Sequence, residues 1–115
     1  MKRAILLIGM LLAFDVGAQS NAFTSGNDLM KHCSVFEMGA STFYDGVCSG
    51  YVVAIADAMA INTINTFRAC VPLNSTWGQI ARISIKYLRE HPEQLHHAAH
   101  GLVAAALSEA FPCKL

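Results

Sequence analysis

Three histidines near the carboxyl end have the spacing that comes nearest to a metal site. His96 and His100 stand four positions apart with His97 between them, and on one helix this spacing can chelate zinc. In a metalloprotease motif a glutamate would follow the first histidine, and here that position is His97. Structural zinc sites usually have four ligands, and the sequence offers no recognisable set. We interpret these histidines as a solvated helix face and expect no metal or other cofactor.

Four cysteines are the next candidates for chemistry: Cys33, Cys48, Cys70 and Cys113. A cysteine nucleophile needs a free thiolate beside a base, whereas an even number of cysteines in a short exported chain indicates disulfides. The sequence also has no serine nucleophile motif and no glycine loop for phosphate. We therefore expect no catalytic residue, and a protein that is not an enzyme.

Asp57 is a carboxylate within an apolar segment. A buried acid could have a raised pKa and a chemical role. Buried polar groups are, however, normally satisfied by internal hydrogen bonds, and Tyr51, Tyr87 and Trp77 could donate one. We interpret Asp57 as structural.

The first eighteen residues have the layout of a secretory signal peptide. Lys2 and Arg3 precede an apolar run from Ala4 to Phe14, and small residues then supply a cleavage site that ends at Ala18. The run is too short to anchor the chain in a bilayer. We expect cleavage near Ala18, export to the periplasm, and a mature domain of residues 19–115 without membrane association.

The charge of residues 19–115 is close to neutral, with six Lys and Arg against seven Asp and Glu. A protein that binds nucleic acid through its phosphates needs clustered basic residues. The composition therefore argues against a nucleic-acid partner.

Apolar residues at helical spacing predict an all-α domain of four helices. Ser25 or Asn27 can cap the first helix. A loop is expected from Met38 to Val47 because this segment is rich in Gly, Ser, Thr and Asp. The second helix is expected over 49–67, and its apolar residues surround it so completely that we place it at the centre of the core.

The third and fourth helices follow a break around Pro72. Thr76 followed by Gln79 is a capping box, and the third helix is expected to direct Trp77, Ile80, Ile83, Tyr87 and Leu88 inward. Pro92 ends this helix and begins the fourth, which is expected over 92–111.

The four cysteines allow three pairings, and helix geometry removes one. Cys48 and Cys70 bracket the second helix and would lie roughly 30 Å apart, far beyond the reach of a disulfide. Cys33–Cys48 with Cys70–Cys113 is preferred, because it joins neighbouring elements. The crossed arrangement of Cys33–Cys70 with Cys48–Cys113 stays open. Two disulfides suit a compact domain that buries a limited core.

An ordered set of short motifs resembles the Rap/Tai family of immunity proteins for amidase effectors of type VI secretion systems. The resemblance covers the chain from about Cys33 onward and rests on Cys48-Ser49-Gly50-Tyr51, Cys70-Val71-Pro72, His91-Pro92-Glu93 and Phe111-Pro112-Cys113. It implies a periplasmic all-helical homodimer that binds and inhibits a peptidoglycan amidase of the papain-like type. Ala54 and Ala69 depart from the residues that are usual in the family.

Contact residues are expected on exposed segments outside these motifs, because loops carry recognition. The candidate partner-binding residues lie on the third helix and the turn after it: Arg82, Lys86, Arg89, Glu90, His91 and Glu93. The alternative function is a periplasmic acid-stress chaperone, since five histidines could change charge as the pH falls.

Overall fold

The computed structural model describes residues 22–38 and 42–114, and the predicted signal peptide lies outside this part of the chain. It confirms the all-α prediction. The helices are α1 (Gly26–Cys33), α2 (Phe43–Met59), α3 (Trp77–Glu90) and α4 (Ala99–Ala110). Short 3-10 turns follow α1 and α3, over Phe36–Met38 and Pro92–Gln94. Within the described residues there are isolated β-bridges but no strand.

Two helices begin with the capping boxes that their sequences indicate. Ser25 accepts a hydrogen bond from the backbone of Asp28, and the Asp28 carboxylate accepts one from the Ser25 backbone. Thr76 and Gln79 make the same reciprocal pair at the start of α3, at 2.7 and 3.1 Å. Each pair satisfies two backbone N–H groups that have no partner within the helix.

The predicted bounds of the second helix are wrong at both ends. α2 begins at Phe43, within the expected loop, because Thr42 caps it by accepting the Asp45 N–H. This cap offsets the cost of Gly46 inside the helix. The helix ends at Met59, and the segment after it contains Asn65 and Thr66 at positive φ, which no continuous helix can hold.

α2 packs against the three other described helices, as its central placement predicts, but it is not buried on every side. One face of α2 is buried, through Cys48, Val52, Val53, Ala56 and Met59. Its other face carries Ala54, Asp57 and Ala58 in exposed positions. Asp57 therefore meets water, and the expectation that it is buried and hydrogen-bonded internally is not met.

α3 packs against both α2 and α4. Ile80 and Leu88 are buried as predicted, and Ile85 is fully buried as well. The inward position predicted for Trp77 is wrong, since 61% of the residue is exposed. Trp77 is the first residue of α3, where the helical pattern no longer determines which way a side chain faces.

The predicted fourth helix is interrupted. The 3-10 turn Pro92–Gln94 and α4 are separated by residues 95–98, because this segment hydrogen bonds to the chain before and at the start of α1. Gly26 donates to the His97 carbonyl at 2.9 Å, Asn27 donates to the Leu95 carbonyl at 2.8 Å, and Ala99 donates to the Thr24 carbonyl at 2.9 Å. The prediction that His96 and His100 share one helix is therefore wrong.

Tyr51 on α2 lies near the start of α4. The residue before α4, Ala98, makes no side-chain capping bond. Burial raises the pKa of the Tyr51 hydroxyl, and the nearby backbone N–H of His100 opposes the shift in part.

The preferred disulfide pairing is confirmed and the crossed one is excluded. Cys33–Cys48 joins the end of α1 to α2, and Cys70–Cys113 joins the segment before α3 to the C-terminal segment, with Cα atoms 4.9 and 5.0 Å apart. The bonds close loops of 15 and 43 residues. In the chain-entropy model such loops contribute roughly 3 and 4 kcal/mol to stability.

Replacing Asp28 by asparagine should make the melting temperature of the protein less sensitive to acid. Hydrogen bonds from Ser25 hold the pKa of Asp28 below its usual 3.8. Because the pKa is lower in the folded protein, the carboxylate stabilises the fold above pH 3.8, and this contribution is lost as the pH falls through the folded-state pKa. Thermal unfolding at about pH 7 and about pH 2.5 measures the effect. Between these two pH values the Tm of the wild type should fall more than the Tm of Asp28→Asn. Equal falls would contradict the stabilising role of the Asp28 carboxylate.

Candidate functional site

The described residues contain neither a free cysteine nor a cluster of metal-ligating side chains. All four cysteines are in disulfides, so none offers a thiolate nucleophile. Residues 22–38 and 42–114 hold no cluster of three or more metal-ligating side chains. Over the same ranges no helix is long and apolar enough to cross a bilayer. The remaining candidates for a functional site are surfaces that could contact another protein.

A groove between α3 and α4 contains two of the six predicted partner-binding residues. Lys86 and Glu90 stand one helical turn apart on its α3 side, where their charged atoms are 2.7 Å apart. This pair raises the pKa of Lys86. Both side chains are largely exposed, so we assign the pair little stabilising effect on the fold.

The floor of the groove is apolar and its rim is acidic. Ile83 and Tyr87 on α3 face Ala106 and Ala110 on α4, and they enclose about 320 Å³. Glu109 stands on the α4 side. Burial raises the pKa of the Tyr87 hydroxyl, and the negative charges of Glu109 and Glu93 add to the shift. The groove thus combines an apolar floor with a surplus of negative charge.

His91 and Glu93 extend the same end of the molecule. The His91 ring stacks on Tyr87 with its centroid 4.0 Å away. Its Nδ1 lies 2.8 Å from the Tyr87 carbonyl oxygen, and because a carbonyl can only accept, Nδ1 carries the proton. Glu93 is exposed on the turn Pro92–Gln94. Four predicted residues therefore lie at or next to the groove.

Arg82 and Arg89 do not join this set. The Arg82 guanidinium lies over the Phe36 ring, 5.9 Å from its centroid, and lines a separate cleft with Gln79 and Phe111. Arg89 is exposed near the end of α3 and does not line the groove. The predicted basic stripe along α3 is thus divided between different surfaces.

An exposed apolar face was missed by the sequence prediction. Leu73 is fully exposed and Trp77 is 61% exposed, and both border a cleft of about 250 Å³ against Val53 and Ala60 of the α2 end. Exposed large apolar residues grouped at a cleft are typical of protein interaction sites, and tryptophan is enriched at binding hot spots. The position of Trp77 next to its N-cap Thr76 was the available signal.

Comparison with known proteins identifies the family to which the chain belongs. A search of curated proteins and a search of solved structures found no match. The family model described as Rap1a immunity proteins matches residues 25–113. The match begins at the N-cap of α1 and ends at the last cysteine, so it includes all four described helices and both disulfides. The chain therefore belongs to the Rap1a immunity proteins.

Proposed function

We propose that this immunity protein acts in the periplasm, where it binds and inhibits a peptidoglycan amidase effector of a type VI secretion system. The observation that carries the proposal is the family match over residues 25–113. Two disulfides suit an oxidising compartment outside the cytosol. Inhibition by binding suits a domain whose described residues offer interaction surfaces and no catalytic grouping.

The groove between α3 and α4 is the surface that we assign to the effector. Its floor can receive one apolar side chain, while Glu90, Glu93 and Glu109 outnumber Lys86 around it. A matching effector segment would carry an apolar anchor flanked by Lys or Arg. Complementary charges of this kind increase the association rate and fix the register of the complex more than they add affinity.

The turn after α3 gives this surface a fixed shape before binding. The backbone of residues 95–99 is tied to residues 24–27 by three hydrogen bonds, and His91 is held on Tyr87. A surface that is already ordered loses little conformational entropy on binding. Such a surface is suited to occluding the cleft of an enzyme.

The acid-stress chaperone stays an alternative without an observation that favours it. A histidine switch needs rings whose protonation disturbs packing. His96 and His97 are exposed and lie outside the core. The family match supports the immunity role.

Co-export with the effector tests the function itself. Cells that export this protein should survive the periplasmic amidase encoded beside it, and the purified pair should form a complex in which cell-wall cleavage is abolished. Failure to protect against every amidase encoded beside it would contradict the proposal. Protection by the same protein retained in the cytosol would contradict the periplasmic site of action.

Ala110→Trp should weaken effector binding at least about tenfold, because an indole at this exposed position would fill the groove. Ala58→Trp is the matched control, since Ala58 is an exposed helical alanine on α2. Titration calorimetry against the effector measures both. Equal affinities for the two variants, with circular dichroism unchanged, would remove the groove from the interface.

We also propose that two copies of the protein associate through the apolar face around Leu73 and Trp77. A two-fold axis brings the same patch of both copies together. Exposed indole and isobutyl groups gain from leaving water, while Asp57, which lines the same cleft, would have to lie at the edge of the contact and stay hydrated. This leaves the groove between α3 and α4 open to the effector, because the two clefts share no residue.

The double variant Leu73→Ser/Trp77→Ser should shift a dimer to monomer at micromolar concentration. Both side chains project into solvent in the single chain, so their loss should cost the fold little. Light scattering after size exclusion measures the mass. Phe43→Ser is the control, because Phe43 is 79% exposed at the other end of α2. A dimer that survives the double variant but not the control would place the interface elsewhere.

A further inference from the structure

The two disulfides differ sharply in their access to solvent. Cys33 and Cys48 are fully buried in the core that α1 and α2 share. Cys70 is exposed, and Cys113 is half-buried three residues beyond the end of α4. Thiol–disulfide exchange requires a thiolate to reach a sulfur atom. In the native fold, a thiolate can reach Cys70–Cys113 but not Cys33–Cys48.

The surroundings of the second disulfide favour exchange electrostatically. Cys70 and Cys113 line a cleft of about 260 Å³ together with Arg68, and among the described residues no carboxylate side chain lines it. Lys114 follows Cys113 directly and is exposed. Neighbouring cations stabilise a thiolate. They would therefore attract an incoming thiolate and stabilise the sulfur that leaves.

We infer that Cys70–Cys113 is a thiol-exchange site, reducible in the folded protein by a dithiol reductant, while Cys33–Cys48 stays oxidised. An incoming thiolate bonds to the Sγ of Cys70, and the bond to Cys113 breaks with its electron pair on the Cys113 sulfur, which then takes a proton. The second thiol of the reductant displaces Cys70 from the mixed disulfide. The reductant becomes a disulfide, and both cysteines become thiols.

Cys70–Cys113 lies at the surface, so its reduction should change the surface rather than the core. Cys70 begins the segment that leads to Leu73 and Trp77, and Cys113 holds the chain end against it. After reduction, the hydrogen bond from the Cys70 N–H to the Phe111 carbonyl still joins the two segments. Cys70 and Cys113 lie outside the four described helices, so we expect the helical content to be retained even though the stabilisation from this loop is lost.

Timed reduction of the native oxidised protein tests the inference. Samples treated with reduced glutathione or dithiothreitol are quenched with iodoacetamide, and the four cysteines are mapped by peptide mass spectrometry. Cys70 and Cys113 should react at least about tenfold faster than Cys33 and Cys48, because buried sulfurs react only after local opening. The partly reduced protein should keep its circular dichroism. Equal rates, the reverse order, or no reaction before unfolding would each overturn the inference.

A charge variant tests the role assigned to Arg68. Arg68→Gln should slow mixed-disulfide formation with anionic glutathione about two- to threefold at low salt, with a smaller effect at high salt. The rate with an uncharged thiol should change less. Arg82→Gln is the control, because Arg82 lies in another cleft. Equal slowing by the two variants would show that net charge, rather than the position of Arg68, sets the rate.

Discussion

The backbone of residues 24–27 pairs with the backbone of residues 95–99, and this contact holds the start of α1 against the turn before α4. It requires a glycine. A Cβ on Gly26 would lie 2.5 Å from the Leu102 side chain and 2.9 Å from the Leu95 carbonyl oxygen. The carbonyl belongs to the backbone and cannot move aside cheaply. Gly26 therefore lets the first helix approach the turn closely enough for three hydrogen bonds to form.

This contact sets where α4 begins. Pro92 starts a helical turn that could have continued into α4, but the carbonyls of Leu95 and His97 are used by the start of α1. α4 then starts afresh at Ala99, which donates its backbone N–H to the Thr24 carbonyl. The turn between α3 and α4 is thus held by the chain at the start of α1.

Features with a local cause could be predicted from the sequence. The predicted capping box of Thr76 and the cap at Ser25, one of two candidates, each depend on residues three positions apart, so a short window contains the whole interaction. The order of the helices favoured the disulfide pairing that forms, although the crossed pairing stayed open and the long helix used to exclude Cys48–Cys70 ends at Met59. The motifs that indicated the Rap/Tai resemblance are mainly scaffold residues, and the family match covers them.

Features with a distant cause could not be predicted. The break in the fourth helix depends on hydrogen bonds to residues about seventy positions earlier, which no helical pattern contains. The exposure of Asp57 depends on which face of α2 the other helices cover, because apolar residues alone did not distinguish its two faces. Of the six predicted partner-binding residues, Arg82 and Arg89 lie away from the groove because one helix supplies several surfaces, and the partner-binding role of all six stays a prediction.

The division of α3 among these surfaces explains why it must be rigid. Lys86 and Glu90 border one groove, Arg82 borders a second cleft and Trp77 a third. Their relative positions are constant only if the helix does not bend or rotate. Ile80, Ile85 and Leu88 bury its inner face, and the Ser84 hydroxyl is satisfied by the Ile80 carbonyl at 3.0 Å. A small domain with few core residues can thus present several binding surfaces, because one well-packed helix positions them all.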